Sequence, residues 1–104
     1  MFKIYGSEMC PDCRECRANF DAYGIQYEVI DINESLANLK AFLKLRDHDS
    51  VFDPCRENNS IGLPAIVRED GTVFLDWEGY LEKEGLTVMH ISDGQACSID
   101  RKGC

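Results

Sequence analysis

Alternating and periodic apolar positions in the first half of the chain predict a strand, a helix and a second strand. The segment "FKIY" (2–5) has the pattern of a short strand and precedes the loop "GSEM". A helix is predicted from Pro11, which suits a first helical position, to a stop at Gly24, and "IQYEVIDI" (25–32) is the next strand. A strand–helix–strand unit of this length implies parallel strands joined by a right-handed crossover.

The following segments predict a second helix and a connector. In residues 33–47 the apolar positions recur at three- and four-residue steps, and Asn33 or Ser35 is available as the N-cap. Residues 48–62 are mostly a connector, in which "DPCREN" predicts a short helix with its aspartate as the cap and its proline first.

Two apolar runs on either side of Asp70-Gly71 predict a β-hairpin, because this dipeptide is the strongest short-range hairpin signal. The segment "DWEGYLEKEGL" (76–86) predicts a closing helix with Asp76 as its cap. A further short strand is predicted at "TVMHI", which follows that helix directly.

These elements make one α/β domain in the order β-α-β-α-β-β-α, with a four-stranded mixed sheet flanked by helices. The predicted domain covers residues 1–86, and residues 87–104 form a C-terminal extension that packs on or trails the same domain. A chain of 104 residues with 44% hydrophobic and 29% charged residues is ordinary for one folded domain.

The charge of the chain excludes several classes of partner. A net charge of −8, from 19 acidic and 11 basic side chains, repels phosphate backbones and anionic lipids, so neither nucleic acid nor a membrane is expected to bind. No apolar run approaches the ~18 residues of a membrane span. The beginning "MFKIYGSEM" lacks the pattern of a signal peptide, so we expect a cytoplasmic protein. We also expect it to be a monomer.

The run "MCPDCREC" (9–16) contains the candidate chemistry. Cys10 lies where the first strand gives way to a helix, and backbone N–H groups and the positive end of the helix dipole favour its thiolate. The carboxylate of Asp12 opposes this effect. Cys13 lies one turn on, within disulfide reach, and a C-x-x-C motif between a strand and a helix is typical of a redox pair.

Other interpretations of the cysteines remain open. C-x2-C-x2-C is a spacing seen for iron–sulfur ligands, with Cys16 as the third ligand and Cys55, Cys97 or Cys104 as the fourth. Cys16 is otherwise an auxiliary thiol or a buried small hydrophobe. Cys97 and Cys104 are further candidate auxiliary thiols, which can relay electrons to the redox pair, pair with each other or stay idle.

The rest of the chain adds no metal chemistry. His48 and His90 have no partner at catalytic or metal-ligand spacing, so solvated or core positions are expected for both. Iron–sulfur ligands usually lie on a loop that wraps the cluster, whereas Pro11 and the residues after it favour a regular helix. We therefore predict a thiol redox pair and no bound metal.

Three segments together resemble the glutaredoxin branch of the thioredoxin-fold family. They are the strand followed by "CPDC" and a helix, the "GLPAIV" segment, and the "EDGTV" hairpin, and "CPDC" differs by one residue from the "CPYC" of dithiol glutaredoxins. The resemblance covers residues 2–86 in element order. It implies a thioredoxin-like fold, electron transport through a reversible disulfide in cell redox homeostasis, Cys10 as the nucleophile and Cys13 as the resolving thiol.

The resemblance also implies a substrate groove. Pro64, which opens the third strand, is expected to be a cis-proline facing the active site, and the Leu63 backbone is expected to pair with an extended substrate. The predicted substrate-binding residues are Pro11, Asp12, Leu63, Pro64, Asp76 and Trp77. For Trp77 itself, core packing is the stronger expectation.

The chain departs from the family in the residues that hold glutathione. Ser7 stands where these proteins usually carry a lysine, Asp12 replaces an aromatic residue, and "DWEG" (76–79) replaces paired glycines followed by an acidic pair. The cations that remain to bind a carboxylate are Arg46, Arg56 and Arg68. We therefore expect no tightly bound cofactor, with glutathione possible as a reductant.

The sequence predicts a thiol–disulfide oxidoreductase. Its partners would be a disulfide-containing protein or a low-molecular-weight thiol, and glutathione or a donor of the thioredoxin-reductase type. One alternative is a redox-sensing regulatory protein of the arsenate-reductase-like type, although such proteins usually carry an arginine before the cis-proline, where this chain has "NNSIGLP". The other is an iron–sulfur carrier that uses Cys10, Cys13 and Cys16.

Overall fold

A mixed four-stranded sheet forms the centre of the fold in the computed structural model, which describes residues 1–90. The strands are β1 (Phe2–Gly6), β2 (Tyr27–Asp31), β3 (Ala65–Val67) and β4 (Val73–Phe74). The helices are α1 (Pro11–Ala22), α2 (Leu36–His48), α3 (Asp53–Glu57) and α4 (Trp77–Lys83), with a 3-10 turn at Ser50–Phe52. The predicted order of elements is confirmed, and α3 is the short helix predicted in the connector.

The strands lie side by side in the order β2–β1–β3–β4. Strand β1 is parallel to β2 and antiparallel to β3, so that Ile4 lies opposite both Val29 and Ile66. Ile66 in turn lies opposite Phe74 of β4 in an antiparallel pair. The parallel β1–β2 pair confirms the predicted strand–helix–strand unit, and α1 is its crossover.

Each face of the sheet carries a buried core, because successive side chains of a strand point to opposite faces. The first core contains Cys10, Cys13, Phe42, Phe52, Leu63 and Ala65. The second core contains Ile4, Cys16, Phe20, Ile66, Trp77 and Leu81. Helix α1 contributes to both cores, with Cys13 in the first and Cys16 and Phe20 in the second.

Helix α2 begins later than predicted, and Phe42 is its buried residue. Ser35, not Asn33, is its N-cap, and its Oγ accepts from the Asn38 N–H at 3.1 Å. Leu36 is 74% exposed, because α2 packs beside β2, an edge strand whose own Val29 is 40% exposed. At 13 residues α2 is the longest helix in residues 1–90, where no helix has the length and apolar content to cross a membrane.

Two local predictions differ in detail from the structure. Asp53 is the first residue of α3 and not its cap, because the 3-10 turn, which Asp49 caps, runs directly into the helix. The hairpin turns at Asp70-Gly71 as predicted, but the loop between the strands is longer than this dipeptide and covers residues 68–72. The Arg68 N–H donates to the Thr72 carbonyl at 2.8 Å and closes this loop.

The predicted strand "TVMHI" does not form over residues 87–90, the part of it that the structure describes. The Asn19 side chain instead forms hydrogen bonds with both backbone groups of Met89. Its Nδ2 donates to the Met89 carbonyl at 2.8 Å, and the Met89 N–H donates to its Oδ1 at 2.8 Å. Glu15, 2% exposed, pairs through Oε1 with Nδ1 of His90 at 2.9 Å. Two buried polar side chains of α1 thus bind this segment in place of a neighbouring strand.

Replacement of Asn19 by alanine should destabilise the fold. Its side chain is fully buried, and its removal leaves both Met89 backbone groups without their partner. We expect urea denaturation to show a free energy of unfolding lower by about 1–3 kcal/mol. The exposed Asn58→Ala is the matched control and should change stability by less than about 0.5 kcal/mol. Equal effects of the two substitutions would show that the Asn19–Met89 contacts contribute nothing.

Candidate active site

Cys10 occupies the N-cap position of α1, directly after the loop that follows β1. Its backbone is extended (φ −95°, ψ 115°), and its Sγ accepts a hydrogen bond from the Cys13 N–H at 3.4 Å. The sulfur takes the role that a serine or aspartate oxygen usually has at an N-cap. Pro11, buried at the first helical position, has no N–H that needs a partner. The helix therefore starts with a sulfur atom aimed at its first turn.

The surroundings of Cys10 lower the pKa of its thiol. The largest cause is a hydrogen bond from the Cys13 thiol, and the Cys13 backbone N–H acts in the same direction. Burial of Cys10, which is 6% exposed, and the negative charge of Asp12 both oppose the shift. The effect of the helix N-terminus and the opposing effect of Asp12 thus have the predicted signs.

The surroundings of Cys13 raise the pKa of its thiol well above the ordinary value. The causes, in order, are its hydrogen bond to Cys10, its burial and the charge of the Cys10 thiolate. Cys13 is 1% exposed, and both cysteines are thiols in this structure. Cys10 is therefore favoured as the thiolate, and Cys13 keeps its proton and donates a hydrogen bond to that thiolate. Neighbouring groups whose environments move their pKa values apart take different acid–base roles.

The loop before Cys10 is fixed by Ser7, the residue that replaces the family's usual lysine. Its Oγ donates to Oδ1 of Asn33 and accepts from the Met9 N–H at 3.1 Å, while its carbonyl accepts from the Cys10 N–H at 3.1 Å. The sequence prediction noted Ser7 only as a departure and missed Gly6. A Cβ at Gly6 would lie 3.1 Å from Sγ of Cys13, so this glycine gives the thiol its space. The signal that could have identified it is a glycine at the end of the first strand, shortly before the C-x-x-C motif.

The Leu63–Pro64 peptide bond is cis, as the sequence resemblance implied. Leu63 is 7% exposed and packs in the same core as Cys10 and Cys13, so the segment that begins β3 lies beside the redox pair. Gly62 precedes it with φ +97°, in the left-handed region that favours glycine. The structure thus brings together the two cysteines and the Leu63–Pro64 segment.

The comparisons with known proteins agree with this geometry. The model of the glutaredoxin family matches residues 2–50, which contain β1, the cysteine pair, α1, β2 and α2. An uncharacterized protein of Haemophilus influenzae is 38% identical over 73 residues, which cover 70% of this chain and 85% of that relative. The chain is a glutaredoxin-related protein. Its mixed sheet with flanking helices is a thioredoxin-like α/β fold, although no solved structure matches the chain significantly.

The arginines that could replace the glutaredoxin lysine all have partners within the chain. Arg46 donates to the carbonyls of Ser60 and Ile61, at 2.7 and 2.9 Å. Arg56 pairs with an aspartate of its own helix and donates to the Arg46 carbonyl. The guanidinium of Arg68 lies over the Phe74 ring, 4.3 Å from its centroid. None of these contacts of the three arginines involves the cysteine pair.

The other predicted substrate-binding residues divide between the site and the core. Pro11 and Asp12 lie in the first turn of α1 beside Cys10. Asp76 caps α4 and accepts from the Gly79 N–H at 3.0 Å. Trp77 is 2% exposed and packs in the second core. The tryptophan ring is therefore a core element, as its position near the helix start suggested, and it presents no face to a substrate.

The additional cysteines lie in or against the two cores, or outside the described residues: Cys55 packs against the core that contains the redox pair. Cys16 is fully buried in the second core, where burial and then the charge of Asp12 raise the pKa of its thiol. Burial also raises the pKa of Cys55, against the nearby charge of Arg46. Cys97 and Cys104 lie outside residues 1–90. Within that range, no group of three His, Cys, Asp or Glu side chains is arranged to hold a metal ion.

Replacement of Asp12 by asparagine should lower the pKa of Cys10 further, because it removes a charge that raises this pKa. The replacement Cys13→Ala should raise it, because it removes the main hydrogen-bond donor. The pH dependence of alkylation by iodoacetamide, measured on the Cys10 peptide by mass spectrometry, reports both shifts. We expect Asp12→Asn to move the midpoint down by a fraction of a pH unit, roughly as expected for one charge at intermediate dielectric.

The matched control is Asp47→Asn, on the exposed side of α2, which should leave the Cys10 midpoint unchanged. Midpoints that move in the same direction for Asp12→Asn and Cys13→Ala would contradict this account of the site.

Proposed function

We propose that the chain is a thiol–disulfide oxidoreductase in which Cys10 is the nucleophile and Cys13 the resolving thiol. The match of residues 2–50 to the glutaredoxin family model supports a thiol-redox function. The observation that carries the finer proposal is the N-cap geometry: Cys10 Sγ accepts the Cys13 N–H at the start of α1, whereas Cys13, one turn on, is 1% exposed. The directions of the two pKa shifts agree with it. A thiolate, not a thiol, attacks disulfides, so only Cys10 is prepared for the first step.

In the first step the Cys10 thiolate attacks one sulfur of a substrate disulfide. A bond forms between Cys10 Sγ and that sulfur, the substrate S–S bond breaks, and the second substrate sulfur leaves as a thiolate that takes a proton. Cys10 then carries no charge. The hydrogen bond to an anionic Cys10 and the repulsion by its charge, which both raise the pKa of Cys13, are thereby removed.

In the second step Cys13 loses its proton and attacks Cys10 Sγ. The mixed disulfide breaks, the remaining substrate sulfur leaves as a thiol, and the Cys10–Cys13 disulfide stores the two-electron oxidation. Because the pKa of Cys13 falls only after the first step, Cys13 reacts after Cys10 and not before it. Cys13 is a poor nucleophile until Cys10 has reacted, because its thiol is buried and bound to the thiolate.

We also propose that Leu63 and Pro64, with Pro11 and Asp12 opposite, form the substrate groove, and that Asp76 lies at its edge. An extended substrate segment would pair with the Leu63 backbone in the manner of an added strand. Such pairing suits a polypeptide disulfide. Arg46, Arg56 and Arg68, the three arginines considered for a glutathione carboxylate, already have partners among residues 1–90. Glutathione remains a possible reductant, beside a donor of the thioredoxin-reductase type.

The remaining parts of the proposal concern the setting of the reaction. A net charge of −8 favours neither nucleic acid nor membrane as a partner, and we propose a monomer that acts in the cytoplasm with no tightly bound cofactor. Cys16 is proposed to act through packing, given its complete burial. Cys97 and Cys104 keep their predicted role as auxiliary thiols.

The roles of the two cysteines can be separated by trapping. With Cys13→Ser, a disulfide-bonded peptide should accumulate as a mixed disulfide on Cys10, since the second step is blocked, and mass spectrometry identifies the linked residue. With Cys10→Ser, exchange should fall at least about a hundredfold, because the remaining thiol has a raised pKa and is buried. Cys55→Ser, a half-buried thiol outside the pair, is the control and should exchange at the wild-type rate.

A mixed disulfide that forms on Cys13 in the Cys10→Ser variant as fast as on Cys10 in the Cys13→Ser variant would overturn the assignment of roles.

A further inference from the structure

The side chain of Arg46 crosses from α2 to the segment that leads into the Leu63–Pro64 bond. Its Nε donates to the Ile61 carbonyl at 2.9 Å, and its Nη2 donates to the Ser60 carbonyl at 2.7 Å. Both bonds are charge-assisted, and such bonds are roughly twice as strong as those between neutral groups. A single cation therefore fixes two consecutive peptide groups just before the proposed groove.

The same segment is fixed on its other sides. The Ser60 N–H donates to the Cys55 carbonyl at 2.8 Å. At Gly62 the chain passes so close to the Phe52 ring that an added Cβ would lie 2.8 Å from its Cδ1. Phe52 is fully buried and belongs to the core that contains Cys10 and Cys13. The path from Ser60 to Leu63 is thus set by hydrogen bonds and by contact with that core.

Arg46 itself stands on a supported part of α2. Arg56 donates through Nη1 to the Arg46 carbonyl and to the Asp49 carbonyl, the latter at 3.3 Å, and pairs through Nη2 with Asp53. These contacts join the end of α2 to α3 and satisfy carbonyls that a helix C-terminus leaves unpaired. Arg46 is therefore held at both ends: Arg56 binds its backbone carbonyl, and its own guanidinium binds the two loop carbonyls.

We propose that Arg46 is a positioning residue of the substrate groove, an inference that rests on the proposed thiol–disulfide exchange. It holds Ser60 and Ile61 so that the Leu63 backbone stands beside Cys10 in the conformation that pairs with an extended substrate. Without it, the two carbonyls bind water and the segment samples other conformations. The apparent affinity for a polypeptide disulfide then falls in proportion to the fraction of molecules in the competent conformation.

The test compares two disulfides that release the same thiol. One is a short peptide whose cysteine is linked to thionitrobenzoate, which can pair with the Leu63 backbone; the other is the symmetrical small disulfide of thionitrobenzoate, which has no peptide to pair. For Arg46→Met we expect KM for the peptide to rise about tenfold, as expected for the loss of a charge-assisted bond. Its kcat, the reaction with the small disulfide and the pH midpoint of Cys10 alkylation should stay at wild-type values.

Two further variants make the test specific. Arg46→Lys retains one charged donor and should recover part of the lost affinity for the peptide. Arg68→Met removes an arginine that lies over Phe74, away from the groove, and should leave KM for the peptide unchanged. Hydrogen–deuterium exchange at residues 60–63 should be faster in Arg46→Met and unchanged in Arg68→Met, which tests the loss of order without any turnover.

Two results would overturn the inference. One is an unchanged KM for the peptide in Arg46→Met; the other is an equal loss toward both disulfides with a lower melting temperature, which indicates a purely structural role. Failure of the proposed function looks different, since the wild-type chain would then react with neither disulfide through Cys10.

Discussion

The bonds that Cys13 donates to the Cys10 sulfur, from its backbone N–H and its thiol, are the interactions on which the site depends. Through them one atom is both the N-cap of a helix and the proposed nucleophile. They exist only because Pro11 starts α1 at this point and because Gly6 leaves space for the neighbouring thiol. The acid–base difference between two identical side chains follows from their places on one helical turn.

The rest of the fold keeps this turn in place. Helix α1 packs into both cores of the sheet, and its buried Asn19 and Glu15 bind residues 89–90. The Leu63–Pro64 segment is held from the opposite side by Phe52 and by Arg46. A helix packed into the core and bound to residues 89–90, and a loop held by one charged side chain, together provide the preorganisation that the proposed reaction between three sulfur atoms requires.

Local features of this protein could be predicted from its sequence, and long-range ones could not. The order of the elements, Cys10 at a helix start and the cis bond before Pro64 depend on short patterns or on a family motif, and the structure has all three. Asn19 and Met89 are 70 residues apart, and no periodicity connects them. Arg46 similarly looked like a free cation, because its carbonyl partners are visible only once α2 and the connector have packed.

The acid–base division between Cys10 and Cys13 is the central claim, and a direct titration tests it. Selective carbon-13 labelling of cysteine Cβ atoms allows the two residues to be followed separately by NMR as a function of pH. The account predicts that Cys10 deprotonates below the ordinary thiol pKa, while Cys13 keeps its proton for as long as Cys10 is an anion. Deprotonation of Cys13 first, or of both residues together at the ordinary thiol pKa, would contradict it.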